Sequence, residues 1–143
     1  MRVTYLEDLD DTERDVRSED GQWRSRRMVL AREGVGFSFH ETNIYAGSTC
    51  EFWYAHHIEA VYCVAGEGEL RSRETGETWE IRDGMCYLLD EHDKHTVHAK
   101  TDLRLICTFN PPVTGREVHD ENGVYPLITE PEGSADPTEE VLA

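Results

Sequence analysis

The segment HIEAVYCVAGEG, residues 57–68, has the pattern of a β-strand that ends in a glycine-rich turn. On an extended strand His57, Glu59, Val61 and Cys63 lie on the same face. If that face is the interior, a histidine and a carboxylate enter apolar surroundings, which is costly unless they pair or bind something. The segment therefore predicts either a binding site on this strand or a His–Glu hydrogen bond at a solvated barrel mouth.

The middle of the chain shows the same two-residue period. Residues 35–46 alternate, with Ser38, His40 and Thr42 on one face, and further strand-like runs lie at 78–82, 95–99 and 103–109. Turn signals separate these runs. Many short strands in a chain of 143 residues predict one all-β domain, a sandwich or a barrel, with short helical or irregular termini.

The charge of the chain is strongly negative. Lys and Arg number 14 against 30 Asp and Glu, which gives a formal net charge of −16 at pH 7. Nucleic acids and anionic membranes require a basic face, so neither is an expected partner. Both ends are acidic: we expect residues 7–20 to be solvated and partly mobile, residues 129–143 to form a flexible tail, and a short helix capped by Thr4 near residues 5–16.

The sequence also bears on the cellular compartment. It holds no apolar run of about 18 residues, the length that spans a membrane, and its acidic start MRVTYLEDLDDTERD lacks the apolar core of a secretory signal. The four cysteines are widely spaced without a CxxC pair. This favours buried free thiols over disulfides or a zinc site, and predicts a cytoplasmic protein.

Two glycine-containing spacings resemble the motifs of the cupin barrels. Six residues separate Glu59 from Gly66, as in the first cupin motif, and the segment from Gly76 to Tyr87 reproduces the spacing of the second. Tyr87 stands where the second motif has a metal-binding histidine, and the usual His-x-His before the glutamate is absent. The resemblance implies a single-domain cupin, a double-stranded β-helix or jelly-roll barrel over residues 1–128, that is divergent in its metal ligands.

A metal-free cupin is therefore one alternative, and a three-ligand site is the other. The candidates for such a site are Glu59, Tyr87 and a histidine from residues 90–95, of which His95 opens a strand and shares a face with Val97. His92 and His98 are expected to be surface residues. A set of glutamate, tyrosine and histidine leaves coordination positions open, and its oxygen-rich character suits iron(II) or another first-row divalent ion.

Four longer segments, together with the run DENGVYPL (120–127), are similar to segments of the ectoine synthase family. The similarity extends over residues 1–128. The segments are WRSRR (23–27), GFSFHET (36–42), HIEAVYC (57–63) and FNPPVTGREVHD (109–120). That resemblance implies cyclisation of N-γ-acetyl-L-2,4-diaminobutyrate, with loss of water, to the compatible solute ectoine, in a homodimer. It implies iron ligation by Glu59, Tyr87 and His95, and a substrate pocket at Trp23, Arg27, Thr42, Tyr54, His57, Phe109, Glu117 and His119, with His40 at a more variable position.

The residue types suit this substrate. Arg27 can hold a carboxylate through two parallel hydrogen bonds. The catalytic candidates are Glu117, His57 and Tyr54, and Glu117 or His57 can accept protons from the attacking amine. Tyr54 has the wrong strand parity to face the same way as His57, so its assignment requires a bulge or turn around residues 55–56.

Two other functions use the same fold. An iron-dependent cupin dioxygenase would need the same metal and room for oxygen, although the missing His-x-His weakens this reading. A non-catalytic small-molecule-binding cupin would bind a ligand without turnover. Oxygen consumption separates the first from a cyclising enzyme, and binding without turnover identifies the second.

Overall fold

Ten β-strands form two antiparallel sheets in the computed structural model, which describes residues 1–115. The six-stranded sheet has the order β1-β2-β3-β10-β5-β8, and the four-stranded sheet has the order β4-β9-β6-β7. Two short 3₁₀ helices span Leu6–Leu9 and Ala31–Glu33. The strands are β1 (Asp15–Arg17), β2 (Trp23–Val29), β3 (Ser38–Ile44), β4 (Thr49–Phe52), β5 (Ile58–Ala65), β6 (Gly68–Ser72), β7 (Thr78–Ile81), β8 (Cys86–Leu89), β9 (His95–Ala99) and β10 (Leu103–Asn110).

The topology is that of a jelly roll. From β3 onward, eight strands are divided equally between the sheets in the orders β3-β10-β5-β8 and β4-β9-β6-β7, as in a double-sheet jelly roll. The five strand-like runs predicted from the two-residue period correspond to β3, β5, β7, β9 and β10. The all-β prediction is confirmed.

Most acidic side chains of residues 7–20 are exposed, as expected, but Asp15–Arg17 form β1 at the edge of the six-stranded sheet, so this part of the segment is an ordered strand. Asp15 on β1 receives two hydrogen bonds from the Arg24 guanidinium on β2, at 2.8 and 2.9 Å. Asp10 accepts from both Arg24 and Arg26, at 2.8 and 3.0 Å. The arginine beside Asp15 lowers the pKa of its carboxyl to about 2. Asp10 and Asp15 therefore have specific cationic partners on β2.

The helix predicted near residues 5–16 is wrong in length and in its cap. Only Leu6–Leu9 is helical, as one 3₁₀ turn, and the backbone N–H of Tyr5, not the side chain of Thr4, marks its start by donating to Asp8. The chain then turns and enters β1. Pairing of β1 with β2 outweighs the weak local helix propensity.

The core lies between the two sheets. Its apolar members come from both, with Ile44, Val61 and Leu105 from the larger sheet and Leu70 and Val97 from the smaller one. Gly66 ends β5 with φ +105°, and a Cβ there would overlap the carbonyl oxygen of Asp102. This close approach explains why a glycine ends the first motif.

All four cysteines are free thiols, of which Cys50, Cys63 and Cys107 are buried. Cys86 is exposed, which corrects the prediction that all four are buried, because its side chain points away from the core on edge strand β8. Within the part of the chain that the structure describes, no helix has the length and apolar character needed to cross a membrane.

Candidate active site

A small cavity lies between the two sheets and is lined mainly by side chains that sequence analysis selected. Its volume of about 40 Å³ has room for about three water molecules. The lining residues are Trp23, Ser25, His40, Thr42, Ile44, Phe52, Tyr54, Glu59, Val61, Tyr87, His95, Leu105, Cys107 and Phe109. The cavity therefore brings together eight of the predicted site residues.

The three predicted metal ligands come from three strands and both sheets. Glu59 lies on β5 and Tyr87 on the neighbouring β8, where Tyr87 pairs with Val61, two residues along from Glu59. His95 begins β9 in the opposite sheet, and its ring centroid is 6.2 Å from that of Tyr87. Glu59 and His95 are 5% and 2% exposed. The closed barrel thus brings the three side chains to one cavity from distant parts of the sequence.

Burial perturbs the protonation of each of these groups. It raises the pKa of Glu59 to about 8, an effect that a hydrogen bond with Cys107 partly opposes. It raises the pKa of the Tyr87 phenol well above its usual value, and the neighbouring Glu59 raises it further. Burial also lowers the pKa of His95 to about 4. A neutral imidazole is what a metal requires, whereas the two oxygen acids would have to lose their protons to a bound cation.

These residues fit a metal ion in donor type, since one carboxyl, one phenol and one imidazole face a common cavity. The Nδ1 atom of His95 is hydrogen bonded to a backbone carbonyl. This leaves the Nε2 atom, with its lone pair, available to bind a metal. No group of three or more His, Cys, Asp and Glu side chains in residues 1–115 is arranged to hold a metal ion. A site here therefore depends on the phenol of Tyr87 as its third ligand.

Aromatic rings form one wall of the cavity. Phe109 is 2% exposed, and its ring centroid lies 5.0 Å from Tyr54 and 5.2 Å from His40. The Tyr54 ring also stacks on Phe52 at 6.0 Å. The turn that the Tyr54 assignment requires is present, because residues 53–57 leave the strand geometry with a turn at Ala55–His56.

A group of basic side chains is buried beside the cavity. Arg27 on β2 pairs with His40 on β3 across the strands, and the two are 0% and 1% exposed. His57 is equally buried, and its Nδ1 lies 2.9 Å from the carbonyl oxygen of Pro111. Burial, with smaller effects of Arg27 and His57, lowers the pKa of His40 well below its usual value. Arg27 and His57 thus lie behind the cavity wall, whereas His40 lines it.

The sheet register explains which arginines enter this group. Trp23, Ser25 and Arg27 alternate on the inner face of β2, whereas Arg24 and Arg26 point outward to acidic partners. On the neighbouring strand Thr42 pairs with Ser25, and its hydroxyl lies 3.7 Å from the Cys107 thiol. Arg24 and Arg26 are therefore structural residues.

Six cavity-lining residues were not among the predicted site residues. Three of them, Ile44, Val61 and Leu105, belong to the apolar core, and the other three are Ser25, Phe52 and Cys107. Ser25 and Cys107 could have been found from strand alternation, since they lie two residues from Trp23 and Phe109 respectively. Phe52 had no such signal, because its position depends on β4 pairing with β9 opposite His95. The predicted residues Glu117 and His119, like the tail 129–143, lie outside the described residues.

A jelly-roll barrel with this strand order, and a cavity between its sheets lined by glutamate, tyrosine and histidine, defines a protein of the cupin fold. A Cupin_2 domain of a transcriptional regulator from Enterobacter cloacae has the same fold, with a TM-score of 0.54 at 16% identity. The match covers 64% of this chain and 98% of the chain of that domain.

The ectoine synthase family model matches residues 1–129. The L-ectoine synthase of Saccharopolyspora erythraea is 59% identical over 135 residues, which are 94% of this chain and 98% of that protein. The crystal structure of an ectoine synthase from P. lautus has a TM-score of 0.79 and 46% identity, covering 94% of this chain and 96% of its own. The chain belongs to the ectoine synthase family, and it is an enzyme of the lyase type.

Proposed function

We propose that this enzyme closes N-γ-acetyl-L-2,4-diaminobutyrate into ectoine by an intramolecular condensation. The α-amine nitrogen forms a bond to the acetyl carbonyl carbon, a six-membered ring results, and the carbonyl oxygen leaves as water. The observation that carries this proposal is the match to L-ectoine synthase at 59% identity over nearly the full length of both chains. It favours the cyclising lyase over the dioxygenase and the non-catalytic alternatives.

The chemistry of the cavity walls suits a short, folded amino acid, and the cavity must widen to admit it, because about 40 Å³ holds only about three water molecules. The rings of Tyr54 and Phe109, together with Trp23, provide apolar surface for the acetyl methyl and the methylene carbons. Holding the chain in a folded conformation brings the amine to the carbonyl carbon and converts chain flexibility into an oriented attack. A closed cavity also excludes bulk water, which favours loss of water from the ring.

The buried basic side chains suit the ends of the substrate. The Arg27 guanidinium lies behind the cavity wall, so it can receive the carboxylate only where the substrate displaces that wall, and its burial would strengthen such a charge-assisted contact. His57 donates its Nδ1 hydrogen to Pro111, because a carbonyl oxygen can only accept. Its Nε2 atom then carries the lone pair, which suits His57 to take a proton from the α-ammonium group before attack.

We further propose that Glu59, Tyr87 and His95 hold iron(II), or another first-row divalent ion, in the cavity. When bound, such an ion supplies Lewis acidity that makes an acetamido carbonyl carbon more electrophilic. The buried Glu59 carboxyl supports this proposal. Burial, only partly opposed by the hydrogen bond with Cys107, raises its pKa to about 8. A divalent cation would offset the desolvation cost of that carboxylate.

The experiment is an assay of ectoine formation by chromatography, run anaerobically with protein reconstituted with iron(II) and with chelator-treated protein. Ectoine formed only by the reconstituted protein supports both the reaction and the metal. Equal formation without metal keeps the reaction and overturns the metal proposal. No ectoine from folded, metal-loaded protein overturns the function, and oxygen uptake or ligand binding then tests the two alternatives.

We also propose a homodimer that works in the cytoplasm and serves the response to osmotic stress. Among residues 1–115, β8 is an edge strand of the six-stranded sheet and carries Leu88, which is 55% exposed, so within this part of the chain it offers backbone and apolar surface to a second copy. The four free thiols are typical of a reducing compartment. Light scattering on a sizing column tests the dimer, and ectoine content of cells at high salt tests the physiological role.

A further inference from the structure

Three successive residues that lead to the Tyr54 turn are each held by a side chain from outside the turn. The Nη2 group of Arg73 donates to the carbonyl oxygen of Phe52 at 3.0 Å. The Nζ atom of Lys94 lies 4.4 Å from the centroid of the Trp53 ring. The Nδ1 atom of His92 lies 2.9 Å from the carbonyl oxygen of Tyr54. Since a carbonyl only accepts, His92 is the donor of that hydrogen bond.

His92 has a left-handed backbone conformation, which is rare for a residue other than glycine. Its φ is +56°, and only Asp11 shares a positive φ among the non-glycine residues of 1–115. For a side chain other than glycine the left-handed region costs about 1 kcal/mol and persists where surrounding contacts select it. The side-chain hydrogen bond to Tyr54 is such a contact.

The residue that His92 holds is central to the cavity wall. Tyr54 is 5% exposed, and its ring lies 5.0 Å from Phe109 and 6.1 Å from His95. A shift of its backbone moves the ring relative to both neighbours. In a preorganised site a displacement of about 1 Å changes the rate by up to about 100-fold.

We propose that His92, an exposed residue outside the cavity, is a positioning residue for the cyclisation, because its hydrogen bond sets the Tyr54 ring against the substrate. This inference rests on the proposed function in one respect, the placement of Tyr54 against the substrate. His92 acts through Tyr54 and contacts neither substrate nor metal.

The test uses two variants of the same position. His92→Gly keeps the left-handed backbone without strain and removes the hydrogen bond. His92→Asn tolerates that backbone and keeps an N–H donor within reach of the carbonyl. His98→Ala is the matched control, because it removes another histidine outside the cavity, a half-buried one that contacts Thr49 on a different strand.

We expect His92→Gly to raise KM for the acetylated diamino acid by about 5- to 50-fold with a smaller fall in kcat, while iron content stays at the wild-type level. His92→Asn should restore KM to within about threefold, and His98→Ala should match the wild type. If His92 had a merely structural role, His92→Gly would lower the melting temperature. KM would then not rise more than kcat falls, and His92→Asn would not restore KM.

Amide hydrogen exchange gives a readout that does not depend on activity. Exchange of residues 55–57 should accelerate in His92→Gly but not in His92→Asn or His98→Ala. Unchanged KM and exchange in His92→Gly would overturn the proposal, and so would loss of iron from that variant. If the wild-type enzyme forms no ectoine, the proposed function fails, and the exchange experiment still decides whether His92 holds Tyr54.

Discussion

The Nδ1 atom of His95 lies 3.0 Å from the backbone carbonyl oxygen of Asp93, two residues earlier. This hydrogen bond assigns the proton to Nδ1 and leaves Nε2 as an acceptor, in a ring that stands 6.2 Å from that of Tyr87. This hydrogen bond from Nδ1 to the backbone orients the imidazole ring without the help of another side chain. The loop before β9 therefore holds His95 in the tautomer that the proposed metal site requires.

If Glu59 and His95 are metal ligands, as proposed, removing either one should abolish metal binding and turnover together. We expect Glu59→Ala and His95→Ala to lose bound iron and to reduce ectoine formation by more than about 100-fold, because two remaining ligands hold the ion poorly. Metal analysis of the purified variants and the chromatographic assay measure both effects. His98→Ala serves as the control and should keep iron and activity; full iron occupancy in Glu59→Ala would contradict the ligand set.

The stability of chelator-treated protein should fall as the pH rises from 6.5 to 8. A folded-state pKa of about 8, against 4.5, means that the Glu59 contribution is complete at low pH and lost as pH rises toward 8. His95, lowered from 6.5 to about 4, contributes fully above 6.5 and loses its contribution as pH falls toward 4. Above pH 6.5 Glu59 therefore dominates, and the free energy of unfolding should fall by up to about 1.4 kcal/mol per pH unit.

Chemical denaturation of the chelator-treated protein across this range measures the slope. Glu59→Gln carries no titratable group and should remove most of it. Iron affinity should rise over the same range, because ligation displaces the protons that Glu59 and Tyr87 hold. A slope that persists unchanged in Glu59→Gln would show that another group is responsible.

Truncating Phe109 should damage both stability and catalysis. Its ring contacts His40, Tyr54 and His57 and is 2% exposed, so Phe109→Ala should lower the free energy of unfolding by about 3–5 kcal/mol. The KM of the surviving folded fraction should rise with the loss of the cavity wall. Phe37→Ala is the matched control, since Phe37 is 42% exposed, and its effect should stay within about 0.5 kcal/mol.

The outer face of the large sheet contains a buried carboxylate that should matter for stability alone. Glu41 is 1% exposed and accepts two hydrogen bonds from Arg26, at 2.8 and 3.0 Å. Glu41→Ala removes two of the hydrogen bonds of that guanidinium, which keeps its contact with the more exposed Asp10, and should cost about 3 kcal/mol. Glu51→Ala, which removes a carboxylate 67% exposed, should cost less than about 1 kcal/mol. Iron content should be unchanged in both, and a loss in Glu41→Ala would contradict a purely structural role.

Strand alternation and motif spacing allowed much of the site to be predicted before its geometry was seen. The two-residue period located β3, β5, β9 and β10 and placed His40 and Thr42 on one face of β3, both of which line the cavity. The Glu59 to Gly66 spacing indicated a cupin barrel, because the sharp end of β5 leaves no space for a Cβ at Gly66. These features depend on the local backbone conformation of a single segment, which is why the sequence of that segment is enough to predict them.

Other features arise only when the sheets close. His95 and Tyr87 are brought to Glu59 by strands from opposite sheets, and Asp10 and Asp15 meet Arg24 only because β1 pairs with β2. Tyr54 turns inward through a break between strands, and its carbonyl meets His92 across 38 positions of sequence. Local sequence determines which face a residue occupies on its strand. Which faces and loops meet depends on long-range strand pairing, which the packing of the whole barrel decides.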